Sequence, residues 1–120
     1  MLRDLAGGFM GKERRKSPRF DVNQMVKLSH HGKESFVGAM GLNISDTGIL
    51  CETNQSLELY SRVFLMLSLV FKHESLEITC EGIVMRSVKD KKVYDVGIEF
   101  TAMREEDAAK LQTFLDYLNA

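Results

Sequence analysis

"VYDVGIEF", residues 93–100, alternates Tyr94, Val96, Ile98 and Phe100 with Asp95, Gly97 and Glu99. Successive side chains of an extended chain point to opposite faces, so a period of two sends the first set inward and the second outward. The stretch predicts a β-strand, and the segments upstream repeat its logic. "KDKK" (89–92) supplies a turn, and before it "LEITCEGIVMRSV" (76–88) sets Leu76, Ile78 and Cys80 against Glu77, Thr79 and Glu81. That alternation runs to Gly82, where a bulge or bend is expected. "KHE" (72–74) turns the chain again, and "RVFLMLSLVF" (62–71) is apolar on both faces, which predicts cover on both. "GILCET" (48–53) follows Gly48. In "ESFVGAMGLNIS" (34–45), Phe36, Gly38, Met40, Leu42 and Ile44 are expected to face the core, with Val37, Ala39, Gly41, Asn43 and Ser45 on the other side. "HHGK" (30–33) supplies a turn after the alternating "QMVKLSH" (24–30). Six such strands with short turns and no helical crossovers predict an antiparallel barrel or sandwich.

The period changes after residue 103. "REEDAAKLQTFLDYLNA" (104–120) spaces Ala108, Leu111, Leu115 and Leu118 along one helical face with Phe114 beside them, and opens on Glu105, Glu106 and Asp107. Acidic residues suit the positive end of a helix dipole, so a C-terminal amphipathic helix is expected. Its apolar stripe fits either the barrel, including the second face of "RVFLMLSLVF", or a partner chain.

A chain of 120 residues fits one domain with a core that needs no staples. Cys51 and Cys80 form no Cys-x-x-Cys motif, and "MLRDLAGGFM" at the start carries no apolar run long enough to export or anchor the protein. These features point to a cytoplasmic protein with reduced thiols and no membrane insertion. The net charge of −1 conceals an asymmetry. Residues 1–20 hold six of the sixteen Lys and Arg against Asp4 and Glu13, a net of +4, which leaves ten against fifteen, a net of −5, in residues 21–120. DNA or RNA would be repelled by the acidic body, whereas a small anion held by the basic arm would not. His30, His31 and His73 fall at turns without metal-ligand spacing, and no acid, base and nucleophile converge, so neither a metal site nor an enzyme is indicated.

Two short stretches carry chemistry. In "ERRKSPRF" (13–20), Arg15 and Arg19 are four apart, but Pro18 biases Ser17 away from helical angles and itself lacks an amide donor. Two guanidinium forks therefore sit on an extended or turning segment. In "NISDTG" (43–48), Asn43 and Ser45 are two apart and are expected to project together from a strand end, while Gly48 is suited to a positive φ. Taken alone, this stretch is a hairpin turn with a satisfied Ser as readily as a binding site.

Together, Arg15, Arg19, Asn43, Ser45 and Gly48 in the pattern Arg-x-x-x-Arg followed by Asn-x-Ser-x-x-Gly, with the Val-Gly-x-x-Phe of "YDVGIEF", resemble the PilZ domain family. The resemblance spans about residues 13–118. It implies a six-stranded antiparallel β-barrel with a C-terminal α-helix that binds the bacterial second messenger cyclic di-GMP, and no further cofactor. The division it implies is a flexible segment 1–12 and a domain 13–120, made of a ligand arm 13–20, a barrel 21–100 and a helix 104–118. A guanine presents O6 and N7 as adjacent acceptors, which a planar guanidinium meets with two parallel hydrogen bonds and a lysine does not. Arg15 and Arg19 supply that fork, and Asn43 and Ser45 would meet guanine or phosphate from the barrel. Many family members carry Asp where this chain has Asn43, and a carboxylate can accept from guanine N1–H and N2–H together, so the pose of that guanine changes. In the family, Arg at the position of Arg14 goes with capture of two stacked ligands, since a third guanidinium can lie against a purine face. The arm is expected to be mobile without ligand and ordered with it, creating a surface for a downstream protein partner. The rival from another class is a module of the same fold that binds only protein.

Overall fold

The computed structural model describes residues 2–4, 20–30 and 36–119. Along the chain run β1 (Leu2–Asp4), β2 (Phe20–His30), β3 (Val37–Ile44), β4 (Gly48–Thr53), β5 (Arg62–Phe71), β6 (Glu74–Asp90), β7 (Val93–Arg104) and α1 (Glu105–Leu118). Each described strand pairs antiparallel, in the order β1-β7-β4-β3-β2-β5-β6, and an additional β6–β7 pairing closes β2 to β7 into a six-stranded barrel. Closure leaves those six strands without a free lateral edge over most of their length. β7 runs past the start of β4, and Leu2–Asp4 pairs with Ala102–Arg104 on that overhang. The expected ligand arm at residues 13–20, apart from Phe20, and the "HHGK" turn, apart from His30, lie outside the described residues.

Turn chemistry sets the registers. Lys72 and His73 adopt φ of 51° and 65°, and Phe71 pairs directly with Glu74. Two consecutive left-handed residues give a hairpin turn whose twist matches that of the strands it joins. Lys91 at φ 60° turns "KDKK" into β7. At Gly82 the expected irregularity occurs, as the β6–β7 register shifts between Glu81 and Gly82. A Cβ at Gly82 would lie 2.6 Å from Ile98 Cγ2 and 2.8 Å from Glu99 O, so the close approach of β7 demands glycine there.

The inward phase of β7 holds at Val96, Ile98 and Phe100, which are buried. The phase expected for β3 does not hold over its first half. Ala39 and Gly41 are buried, while Phe36 and Gly38 are exposed. The β3–β4 register slips between Gly41 and Asn43, and the β2–β3 register between Asp21 and Gln24. Such a bulge reverses which residues face inward, which is how Ala39 and Ile44 both reach the core. β5 also departs from expectation. Val63, Leu65, Leu67 and Leu69 are fully buried, but the opposite face, with Phe64 and Val70, stays exposed because the helix covers a different part of the barrel.

α1 packs against the β6–β7 side. Ala108, Leu111, Phe114 and Leu115 are buried, and the Phe114 ring meets Phe71 edge-on at 5.7 Å. Buried Asp107, in the first turn, accepts a hydrogen bond from Thr79 Oγ1 at 3.5 Å and lies 3.8 Å from Lys110 Nζ, which ties the helix start to β6. The helix begins at Glu105 behind Arg104, one residue later than expected, and β7 carries the barrel on to Arg104. Cys51 and Cys80 are free, buried thiols. Burial pushes Cys51 up to about 12, and burial, then the Asp107 and Glu81 charges, push Cys80 higher, so both stay protonated core groups. Among the described residues no helix is long and apolar enough to cross a membrane.

Candidate functional site

The β3–β4 hairpin brings "NISDTG" to one end of the barrel. β3 ends at Ile44, β4 begins at Gly48, and the Ser45 N–H donates to Gly48 O at 2.9 Å to close the loop between them. Ser45 Oγ accepts from the Thr47 N–H at 3.2 Å and shares a 3.1 Å hydrogen bond with Thr47 Oγ1. A serine that satisfies a backbone amide two residues on stiffens the turn it sits in. Ser45 is fully buried, so the strand-end serine does not stand out beside Asn43 as the alternation implied. Asn43 is half-buried and lies opposite Asp21 in the β2–β3 ladder and Leu50 in the β3–β4 ladder.

Gly48 is required for a reason other than the one expected. Its φ is outside the left-handed region, but a Cβ would lie 2.5 Å from the Ile98 carbonyl oxygen. β7 therefore passes too close for any side chain. The Phe100 N–H donates to Thr47 O at 2.9 Å, so the turn is clamped to β7 on its other flank. Thr47 thus holds the turn twice, through its amide and its carbonyl, a role that only the small polar run "SDTG" hints at in the sequence.

The phase of "VYDVGIEF" places Glu99 on the outside, yet it is only 8% exposed. It lies opposite Gly48 in the β4–β7 ladder and Ile83 in the β6–β7 ladder. Desolvation raises its carboxyl above the usual range. No feature of the sequence marks this glutamate as buried.

Arg14, Arg15 and Arg19 lie outside the described residues. The register still fixes where their segment rejoins the barrel. Phe20, the residue after Arg19, is paired with Ile44, and Asp21 with Asn43. The backbone therefore enters β2 directly alongside the residues that lead into the Ser45 turn. The arrangement is a rigid polar turn beside the exit point of a basic segment, a geometry suited to holding an anion. Among the described residues no group of three His, Cys, Asp or Glu side chains could hold a metal ion.

A sequence model described as the PilZ domain matches residues 13–117. Among solved structures, the Bacillus subtilis inhibitor of motility (MotI/DgrA) superposes with a TM-score of 0.73 at 22% identity, over 88% of this chain and 49% of that one. K. pneumonia MrkH in its c-di-GMP complex gives 0.68 at 17%, over 88% and 51%. The PilZ domain of Escherichia coli YcgR with c-di-GMP gives 0.61 at 14%, over 88% and 92%. At these identities the likeness shows the fold, and the chain spans about half the length of the first two, at 49% and 51%. No sequence among curated proteins matches.

Proposed function

The chain belongs to the PilZ domain family, and from that membership we propose that it is a bacterial cyclic di-GMP receptor that grips the nucleotide between its Arg15/Arg19 arm and the Asn43–Gly48 turn. The observation that carries the reading is the β2–β3 register, in which Phe20 lies opposite Ile44. Arg19 is one residue before that pair and Arg15 four before Arg19, so both are within reach of a ligand seated on the turn. Arg15 and Arg19 meet guanine O6 and N7 as bidentate donors, and the cyclic phosphates sit toward the clamped turn. Asn43 contacts the ligand from the barrel. Ser45 acts from beneath: its hydroxyl holds the Thr47 amide at 3.2 Å and fixes the shape of the surface the ligand meets. Two proteins of the same fold, K. pneumonia MrkH and the PilZ domain of Escherichia coli YcgR, hold c-di-GMP in their solved structures. A receptor of this kind performs no chemical step and passes its signal to a protein partner.

Arg14 extends the reading to stoichiometry. A third guanidinium stacked on a purine accommodates a second cyclic di-GMP, giving two ligands per chain. An amide NMR titration with cyclic di-GMP tests the site. Shifts are expected at residues 13–21, 43–48 and 99, saturating at two equivalents, with Arg14→Leu lowering the count. Saturation without shifts in the 43–48 turn would refute the assigned site, and a break at one equivalent would remove the second ligand.

A further inference from the structure

Outside the nucleotide site, the same β3–β4 hairpin carries an apolar groove. It is a shallow, open depression of about 300 Å³ lined by Met25, Met40 and Val93, with Gly38, Ala39 and Glu52 beside them. Met25 is 57% exposed at its centre. The ladders continue the row on both sides: Met25 lies opposite Met40, Met40 opposite Glu52, and Glu52 opposite Asp95. Residues directly opposite in an antiparallel pair share a face with Cβ atoms about 5 Å apart, so Glu52 and Asp95 present two negative charges from one face of the sheet. Among the described residues no Lys or Arg forms an ion pair with either carboxylate. Lys27, opposite Gly38, marks the other rim.

We propose that this groove is a docking site for a protein segment that presents one aliphatic anchor flanked by Lys or Arg on the β4–β7 side. Exposed Met25 and half-buried Met40 make an adaptable apolar wall, and two carboxylates that form no ion pair among the described residues select cations over anions beside it. The anchor displaces water from Met25 and Met40 while its neighbouring cation pairs with Glu52 and Asp95. Lys27 sets polarity, since a cation on that side would be repelled. The site shares no residue with Asn43, Ser45 or Gly48, so it stands or falls independently of nucleotide binding.

Gly38 makes the test clean, because a Cβ there would meet nothing within 4 Å. Gly38→Leu fills the groove without changing charge. The probe is a synthetic amphipathic peptide of leucine and lysine, with a leucine–glutamate peptide as control, followed through the ¹³C-methyl signals of the methionines. The Met25 and Met40 methyls should shift on adding the lysine peptide only. Gly38→Leu and the pair Glu52→Gln, Asp95→Asn should each weaken binding about tenfold or more. Should Gly38→Leu fail to fold, Met25→Ser on the exposed wall gives the same reading. Undiminished binding to Gly38→Leu, or equal binding of the glutamate peptide, overturns the proposal. So does a concentration-dependent dimer that Gly38→Leu abolishes, since the occupant is then a second copy. Calorimetry with cyclic di-GMP on Gly38→Leu reports separately on the nucleotide site and should match the parent.

Discussion

Replacing Gly48 by alanine should deform the turn that the nucleotide reading depends on. The new Cβ would sit 2.5 Å from Ile98 O and 3.5 Å from Glu99 Cα, and both are backbone atoms that no rotamer change can move aside. β4 and β7 must separate by several tenths of an ångström at this point. Two backbone hydrogen bonds lie on either side of the displacement, Ser45 N–H to Gly48 O and Phe100 N–H to Thr47 O, each at 2.9 Å. Weakening both costs about 1 kcal/mol apiece, and overpacking adds about 1 to 3 kcal/mol. A total of about 3 to 5 kcal/mol is a large share of the ~5–15 kcal/mol stability of a small domain. With an m-value of about 2 kcal/mol/M, the urea midpoint falls by roughly 1.5 to 2.5 M. Gly38→Ala is the internal control, because open space awaits its Cβ and alanine costs less entropy than glycine in a strand by about 0.5 to 1 kcal/mol. Equilibrium urea unfolding followed by circular dichroism, with amide spectra of Ser45 and Phe100, reads both effects. Equal midpoints for Gly48→Ala and the parent, with those amides unshifted, would refute the steric argument.

Other perturbations separate the turn, the helix and the buried carboxyl. Ser45→Ala removes the acceptor of the Thr47 amide, so stability should fall by about 1 to 3 kcal/mol in urea unfolding, with cyclic di-GMP affinity falling alongside it. Phe114→Ala empties a fully buried position under α1 and should cost about 3 to 5 kcal/mol, read as a lower thermal midpoint without loss of nucleotide binding. Burial raises the Glu99 carboxyl in the folded state, so its ionised form is penalised there and stability is lost as pH rises from the unfolded carboxylate range, about 4.3, through the raised value. Glu99→Gln should therefore raise the thermal midpoint at neutral pH, with the gain vanishing near pH ~4; a pH-independent difference would contradict the assignment.

Much of the barrel was legible because its strands carry an uninterrupted period of two. "VYDVGIEF" read correctly except at Glu99, and so did "LEITCEGIVMRSV", Gly82 as an irregularity and the helical face from Ala108 to Leu115. β3 misled the reading because a register slip near Gly41 inverts the alternation, and no residue type announces it. β5 misled it differently: apolar residues on both faces do not reveal which face stays wet, and Val70 is 55% exposed. β1 has three residues, too few to show a period. At the site, the spacing of Asn43, Ser45 and Gly48 was legible, but the burial of Ser45 and the close passage of Ile98 past Gly48 depend on β7, which is about fifty residues away in sequence.

The central claim is that arm and turn together grip cyclic di-GMP, and titration calorimetry on the full chain tests it most directly. The parent should bind with a heat that fits a discrete stoichiometry. Arg15→Ala or Arg19→Ala should each weaken binding by about 1 to 3 kcal/mol, roughly ten- to a hundred-fold, for the loss of one bidentate contact, and the double substitution should leave no measurable heat with the fold intact by circular dichroism. A double variant that binds cyclic di-GMP as tightly as the parent would contradict the account.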